Sequence, residues 1–168
     1  MDRALTNDEV LKLCNYKCNY LNYKELTGYE NINDAMGEYG ALVLLYLSKE
    51  NYGHYTCVFV RDKNTIEMFD SFGFEMPDDE FKYIEKKERI KNSEIYPYLT
   101  KLLYDSGKKI EVNVDQLQAF EAKTCGRHVA VRLRLRDINI DDYVKLMKST
   151  KLTPDELVIY LTDITDNK

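Results

Sequence analysis

The residues best suited to chemistry lie in the segment AKTCGRHVAV (122–131). Cys125 stands directly before Gly126, and His128 follows three positions after the cysteine. A cysteine in this setting can be a metal ligand, a buried apolar residue or a nucleophile. A nucleophilic cysteine needs an electropositive environment, which a helix N-terminus and a neighbouring imidazole provide. The choice therefore depends on which side chains the fold brings to the sulfur.

A predicted hairpin supplies an imidazole and a carboxylate. The segments HYTCVFVR (54–61) and TIEMFDS (65–71) alternate in a way that is typical of strands. In both segments the even-numbered positions form the predicted core face, so His54 and Asp70 are predicted to share it. A carboxylate that bonds one ring nitrogen of a histidine leaves the other nitrogen basic. Taken singly, each residue also fits a structural role, His54 at a sheet edge and Asp70 as the cap of a turn.

The loop between these strands sets their register. An odd-numbered loop keeps both core faces on one side, and the three residues Asp62-Lys63-Asn64 suit it. Asn64 is expected in the left-handed conformation that ends such a loop. His54 then opposes Phe72, and Asp70 lies diagonally to His54, within reach of its ring.

The segment that follows Cys125 has two interpretations. Val129, Val131 and Leu133 alternate with other residues, as they would in a strand, but a helix buried on a broad face fits the same residues. Periodicity alone does not decide between strand and helix.

Four short motifs occur in a defined order along the middle of the chain. They are GHY (53–55), FDSFGF (69–74), Gln118 and CG (125–126). In order and spacing they resemble the adenain-like family of viral maturation proteases and the related SUMO-specific proteases. FDSFGF is close to the acid-x-Phe-Gly-Phe turn of the former, and its Asp-Ser pair has the form found in the latter. The resemblance spans residues 53–126.

The resemblance implies a role for each motif residue. Cys125 would be the nucleophile, His54 the general base and then the general acid, and Asp70 the residue that orients His54. Gln118 would donate its side-chain amide to the oxyanion hole together with the Cys125 backbone N–H. Gln116, two residues earlier, is an alternative donor, but the seven-residue gap to the cysteine favours Gln118.

The resemblance also implies the fold and the shape of the cleft. The fold would be α+β and papain-like, a small and mostly antiparallel sheet with a central helix over residues 125 to about 136 and flanking helices. Tyr55 occupies the position where the family usually has Trp, so the cleft wall keeps an aromatic ring. Gly126 is expected to leave room for the substrate carbonyl. Tyr55 and Gly126 are thus the substrate-cleft candidates.

The rest of the chain supplies the elements that position these residues, and we expect residues 1–168 to form a single domain. ALVLLYL (41–47) and KIEVNV (109–114) read as further strands, and the charged segment 77–107 as one or two surface helices broken near a proline. Three capping patterns mark helix starts. They are Thr6 with Glu9, Asn139 alone, and Thr153 with Glu156, and in the last of these Pro154 occupies the first helical position. Helices are expected to be segregated from the sheet.

Composition excludes several classes of protein. The formal net charge is −5, which argues against a nucleic-acid binder. The basic stripe Arg127, Arg132, Arg134 and Arg136 reads as a solvated helix face or as internal salt bridges. No apolar run is long enough for a membrane span, and the N-terminus lacks the apolar core of a signal peptide, so we expect an intracellular protein. Four cysteines there are expected as free thiols.

Two alternatives belong to other classes. In the first, a structural zinc ion would be held by ligands drawn from Cys14, Cys18, His54, Cys57 and His128, although the two early cysteines lack a second close pair. In the second, the chain would be an inactive relative that serves as a binding or structural module. Under the protease interpretation His128 is a helix-face residue that tunes the thiol.

The sequence therefore predicts a cysteine endopeptidase that needs no cofactor or metal. Its expected substrates are viral capsid or core precursor proteins, cleaved beside small residues such as Gly in the host cytoplasm, virus factory or virion. The resemblance also implies a cleft that is narrow near the scissile bond. Removal of ubiquitin-like modifiers after Gly-Gly is the alternative, because such a cleft would accept that sequence. Partners would be polypeptides, without membrane or nucleic acid.

Overall fold

The structure is a computed structural model that describes residues 3–49 and 52–166. The strands are β1 (Asn19–Asn22), β2 (Ala41–Lys49), β3 (Tyr52–Asp62), β4 (Thr65–Phe69) and β5 (Lys109–Val112). The α-helices are α1 (Asn7–Leu13), α2 (Ile32–Met36), α3 (Lys86–Lys91), α4 (Tyr98–Asp105), α5 (Cys125–Arg134), α6 (Ile140–Lys148) and α7 (Pro154–Asp166). The first and second 3-10 helices of the described residues are Tyr23–Gly28 and Asp79–Tyr83. The predicted α+β class is confirmed.

The strands form one mixed sheet in which spatial order follows chain order, β1 to β5. The neighbours β2, β3 and β4 are antiparallel, whereas β1 is parallel to β2 and β5 is parallel to β4. The expected mostly antiparallel sheet is therefore wrong at both edges. Parallel neighbours need a crossover connection, and helices supply one between β1 and β2 and another between β4 and β5.

Helices cover both faces of the sheet, so the predicted segregation of helices from the sheet is wrong. On one face, odd-numbered strand residues such as Val43, Cys57 and Phe69 pack with α1, α5, α6 and α7. On the other face, even-numbered residues such as Leu44 and Val58 pack with the first 3-10 helix, α2 and α4. Double coverage explains why β2 is a continuous apolar run, since a strand buried on both faces has no polar side.

The β3–β4 hairpin has the predicted register. Cys57 pairs with Phe69, and the same register carried three residue pairs toward the open end sets His54 opposite Phe72. The even-numbered residues share one face, as the alternation predicted.

The turn of this hairpin differs from the prediction. β3 continues to Asp62, which pairs with Thr65, and a bulge lies between Val60 and Asp62. Asn64 does not adopt a positive φ. Its backbone N–H instead donates to the Asp62 carboxylate at 2.8 Å. The bulge takes up the odd residue that the left-handed asparagine was expected to accommodate.

The helix starts carry the predicted caps. Thr6 and Glu9 exchange both bonds of a capping box at α1, and Asn139 caps α6 through its side chain. Thr153 and Glu156 exchange the same two bonds at α7, at 3.0 and 3.1 Å. Each such cap satisfies backbone N–H groups that have no partner within the helix.

Helix α5 begins at Cys125 and ends at Arg134, so the helix implied by the family resemblance is present and the strand interpretation is wrong. Its residues are buried from Cys125 to Leu133. A helix enclosed on all sides has no polar face. The usual helical periodicity is therefore missing from this segment.

Two arginines of the basic stripe, Arg127 and Arg132, form internal ion pairs, whereas Arg134 is exposed, so each of the two interpretations holds for part of the stripe. Arg132 on α5 is fully buried and forms a bidentate pair with Glu67 of β4, at 2.8 and 2.9 Å. Arg127 is also buried and lies 2.8 Å from Asp163 of α7. No helix within residues 3–49 and 52–166 has the length and apolar character needed to cross a membrane.

Candidate active site

The predicted histidine–carboxylate pair is formed. His54 lies near the start of β3 and Asp70 directly after β4, and the His54 Nε2 is 2.7 Å from the Asp70 Oδ1. Asp70 is itself held in place. Its Oδ1 accepts the Phe72 N–H at 2.9 Å, and its backbone N–H donates to the Asn113 side chain at 2.9 Å. The carboxylate therefore fixes one edge of the imidazole.

The face of the imidazole is fixed as well. The rings of His54 and Phe72 are stacked, with centroids 4.3 Å apart and planes 11° from parallel. This contact follows from the hairpin register, which sets the two residues opposite each other. With a carboxylate at one edge and a phenyl ring on one face, the imidazole has a single orientation.

Cys125 meets the free edge of this ring. The Cys125 thiol lies near enough to His54 to contribute to the raised pKa of the imidazole, and both residues line one cavity. Because Nε2 faces Asp70, the contact with sulfur falls to Nδ1. Cys125 is also the first residue of α5, where the partial positive charge of a helix N-terminus favours an anionic sulfur. It lines two cavities that meet at the thiol.

The charge state of His54 follows from its neighbours. Burial lowers the pKa of His54, but the Asp70 and Glu80 carboxylates and the hydrogen bonds to Asp70 and Cys125 together outweigh burial. The net result is a pKa well above the ordinary value. The site therefore favours an imidazolium beside the sulfur, the charge arrangement that activates cysteine nucleophiles.

Glu80 is a further ionisable group at this site, and the sequence analysis did not identify it. It belongs to the second 3-10 helix, is 5% exposed, and has a carboxylate oxygen within 4.8 Å of ligand atoms of His54 and Asp70. Burial raises the pKa of Glu80 to about 7, although His54 opposes the shift. The buried Asp70 Oδ2 and Glu80 Oε2 accept no hydrogen bond from the described residues.

Gln118 lies in the loop between β5 and α5, in a fixed orientation. The Ser71 hydroxyl donates to the Gln118 Oε1 at 2.5 Å, and the Gln118 Nε2 donates to the Ala122 carbonyl at 2.8 Å. Since Nε2 carries two N–H groups, one remains for a substrate oxygen. Gln118 lines the same cavity as Cys125. Gln116, the alternative donor, lines neither cavity at Cys125 and bonds the Gln118 carbonyl at 2.8 Å.

Asp155 on α7 is a second site residue that the sequence did not reveal. Its carboxylate accepts hydrogen bonds from the Ala119 N–H at 3.0 Å, from the Thr124 hydroxyl at 2.6 Å and from the His128 Nε2 at 2.9 Å. These partners flank the loop that joins Gln118 to Cys125. Asp155 therefore anchors that loop, and the hydrogen bond to His128 joins α7 to α5.

His128 and the early cysteines do not form the zinc site that was considered. The His128 ring bonds Asp155, and burial lowers the pKa of His128. The Cys14 and Cys18 thiols hydrogen-bond each other. Within the described residues, three potential ligands approach one another only at His54, Asp70 and Glu80. The set proposed for zinc is thus divided among separate contacts.

The two cleft candidates, Tyr55 and Gly126, differ in their position relative to the cavities at Cys125. Tyr55 lines the larger cavity at Cys125, which has a volume of about 600 Å³, and its hydroxyl donates to the Asn7 side chain. Gly126 is buried and is not among the residues that line the two cavities, and its role beside the substrate carbonyl stays a prediction. A Cβ there would lie 2.9 Å from a Val10 methyl carbon and 3.3 Å from the Tyr55 ring. Gly126 is needed for close packing of α5 against α1.

Comparison with known proteins identifies a viral family. The chain is 39% identical to the uncharacterized protein V9 of Sputnik virophage over 165 residues, which cover 95% of this chain and 94% of that protein. It therefore belongs to the family of the virophage protein V9, and the expectation of a viral protein is supported.

Two further comparisons add no function. No protein-family model matches the chain. A solved structure, the central domain of the uncharacterized Lpg1148 protein from Legionella pneumophila, is similar over 99% of this chain and 100% of that one. Its TM-score is 0.45, with 12% sequence identity.

Proposed function

We propose that this protein is a cysteine endopeptidase of the adenain-like type, with a papain-like arrangement of its site. The observation that supports it best is the position of His54. One ring nitrogen bonds Asp70 at 2.7 Å, and the Cys125 thiol, at the N-terminus of a buried helix, lies at the same cavity and contributes to the raised pKa of the ring. Orienting carboxylate, base and nucleophile in this order match the geometric criteria for a Cys-His-Asp site.

The proposed reaction has two stages. The Cys125 sulfur attacks the carbonyl carbon of the scissile peptide, and the oxyanion accepts hydrogen bonds from the free Gln118 amide N–H and the Cys125 backbone N–H. The C–N bond then breaks as His54 gives its proton to the leaving nitrogen. His54 then takes a proton from water, and the resulting hydroxide attacks the thioester carbon. The C–S bond breaks, the carboxylic acid product leaves, and the imidazolium–thiolate pair is restored.

The substrate proposal rests on the walls next to the thiol. Gly53 and Tyr55 flank Cys125 in the larger cavity. A Cβ at Gly53 would lie 2.2 Å from the Tyr46 carbonyl oxygen of the neighbouring strand β2, so only glycine fits at this position, and the cavity wall there has no side chain. The preference for Gly or another small residue at the scissile bond is what the family resemblance implies. Capsid or core precursors, processed in the host cytoplasm, virus factory or virion, are the proposed substrates, and the Gly-Gly tail of a ubiquitin-like modifier is the alternative.

The direct test is covalent labelling with a Gly-Gly peptide that carries a cysteine-reactive group. Intact mass should show one adduct on the wild type, none on Cys125→Ala, and one on Cys18→Ala, which removes a half-buried free thiol elsewhere. Equal labelling of wild type and Cys125→Ala would refute the assignment.

Turnover separates the remaining candidates. Cleavage of Gly-containing peptides should be abolished in Cys125→Ala and His54→Ala and reduced less completely in Asp70→Asn, because Asp70 orients the base without carrying the proton. Efficient release of a folded modifier but not of peptides would favour the modifier-removing alternative. Failure to cleave either substrate would favour the inactive module.

A further inference from the structure

The smaller of the two cavities at Cys125 has an aromatic wall that the proposed reaction does not use. The cavity has a volume of about 310 Å³ and is lined by His54, Gln118 and Cys125 as well as by aromatic rings. Those rings come from the turn after β4, from the second 3-10 helix and from the loop before α5. We name Phe72, Phe74, Tyr83 and Phe120 the aromatic cluster.

The aromatic cluster is continuous. Centroid distances are 5.1 Å for Phe72 and Phe120, 5.8 Å for Phe120 and Tyr83, and 5.5 Å for Tyr83 and Phe74. Phe72 is in turn stacked on His54. The cluster therefore begins at the proposed base, and Phe72, Tyr83 and Phe120 line the cavity that Cys125 also lines.

The outer rings of the cluster are exposed. Tyr83 is 59% exposed and Phe120 is 56% exposed, although both contact other rings. Two large rings that stack on each other in water while facing a cavity keep apolar surface available for a ligand. Because Cys125 lines the same cavity, the occupant that reaches it is the polypeptide bound at the thiol.

The chemistry of the reaction assigns a side of the substrate to each cavity. His54 protonates the leaving nitrogen, so the leaving part of the substrate lies beside His54. His54 lines the smaller cavity but not the larger one, Tyr55 lines the larger cavity but not the smaller one, and Gly53 borders both. The larger cavity therefore receives the acyl part, and the smaller one the part that follows the scissile bond.

We propose that the aromatic cluster is a specificity subsite for a large apolar or aromatic side chain in the first residues after the scissile bond. The proposal rests on the peptidase function proposed above and extends it. It predicts a substrate with two unlike halves, a small residue such as Gly before the bond and a bulky apolar residue after it. Aromatic pairs gain from ring contacts in addition to burial, so Phe should be preferred.

The test uses quenched fluorescent peptides that share a Gly-Gly acyl part and carry Phe, Leu, Ser, Asp or Lys at the first or the second position after the bond. With the wild type, kcat/KM for the best Phe peptide should exceed that for its Ser counterpart by roughly tenfold or more. Phe120→Ala and Tyr83→Ala should bring this ratio close to one. Tyr104→Ala, which removes an exposed tyrosine of α4, should leave the ratio unchanged.

A binding measurement separates failure of this subsite from failure of the peptidase proposal. The Phe and Ser peptides are titrated into Cys125→Ala, with and without Phe120→Ala, by isothermal calorimetry. Cleavage that is indifferent to the residue after the bond, or that prefers Lys or Asp, would overturn the apolar subsite and leave the peptidase intact. Absence of any cleavage, with tighter binding of the Phe peptide that is lost in Phe120→Ala, would overturn the peptidase and support an apolar binding site.

Discussion

The Asp155 carboxylate lies 2.9 Å from the His128 Nε2, which joins the helix α7 to the helix that begins at the proposed nucleophile. Neither residue contacts a substrate atom in the proposed reaction. Asp155 also accepts hydrogen bonds from the Ala119 N–H and the Thr124 hydroxyl. Ala119 directly follows Gln118, and Thr124 directly precedes Cys125. The spacing between the oxyanion donor and the sulfur is therefore set by a residue of another helix.

Asp155→Ala should lower kcat more than it raises KM. The variant removes two hydrogen bonds from the loop and one from His128 of α5. A misplacement of about 1 Å can cost about 100-fold in rate, so a loss of roughly 10- to 100-fold is expected. The measurement is steady-state kinetics together with circular dichroism. Asp163→Asn is the matched control, because Asp163 also lies on α7 and pairs with α5 through Arg127. Equal losses in both variants would indicate a general packing effect.

Gln118→Ala should lower kcat by about 100- to 1,000-fold, the usual cost of one oxyanion donor. Ser71→Ala should cost less, because it removes the bond that orients the Gln118 amide but leaves the amide itself. Gln116→Ala should behave like the wild type within a few-fold. Steady-state kinetics decide, and a large loss in Gln116→Ala with none in Gln118→Ala would reverse the assignment of the donor.

Glu80→Gln should raise stability at neutral and alkaline pH. The pKa of Glu80 rises from the ordinary value of 4.5 to about 7 on folding. Between these values the unfolded chain has lost the proton that the folded chain keeps, so stability falls as pH rises and the loss is complete above about pH 7. Replacement by an uncharged isostere removes this loss, which is on the order of 3 kcal/mol.

The measurement for Glu80 is urea denaturation at several pH values. The difference between Glu80→Gln and wild type should be small near pH 4.5 and should grow to its full size by about pH 8. Glu75→Gln, which alters an exposed carboxylate five residues earlier, is the control and should follow the wild type. A difference independent of pH would indicate that Glu80 acts through packing. Asp70, His54 and Glu94 are the charged groups that influence Glu80.

Arg132→Met should lower the free energy of unfolding by about 3 to 5 kcal/mol, because it leaves the fully buried Glu67 carboxylate with only the more distant Arg61, at 3.9 Å, as a cationic partner. The double variant Glu67→Leu/Arg132→Met should recover much of that loss, since it removes both charges. Chemical denaturation of both single variants and the double variant completes the cycle. A double variant as unstable as the sum of the singles would show that the two side chains act independently.

The hairpin was predictable because its determinants are local. Alternation fixes which residues share a face. The pairing of Cys57 with Phe69 then follows from two segments of eight and seven residues, 54–61 and 65–71. The contact of His54 with Asp70 needs no information from the rest of the chain. The turn itself was mispredicted, since a bulge and a left-handed residue are alternative ways to accommodate one extra residue.

Glu80 and Asp155 were not predictable because their environments are made by distant segments. Glu80 stands in a charged stretch whose pattern indicates a surface helix, yet it is buried beside His54 and Asp70. Asp155 reads as an ordinary acidic residue in the first turn of a capped helix. Helix α5 was identified through family resemblance alone, because complete burial removes the periodicity by which a helix is recognised.

The anchoring of the loop by α7 has a consequence for the order of events during synthesis. The nucleophile, the base and the oxyanion donor are all added to the chain before Asp155. Until that residue is made and α7 has folded, the loop between Gln118 and Cys125 lacks its two hydrogen bonds to the carboxylate, and α5 lacks the one from His128. For the peptidase proposed above, we therefore expect hydrolysis to begin only after α7 has been synthesised and has folded.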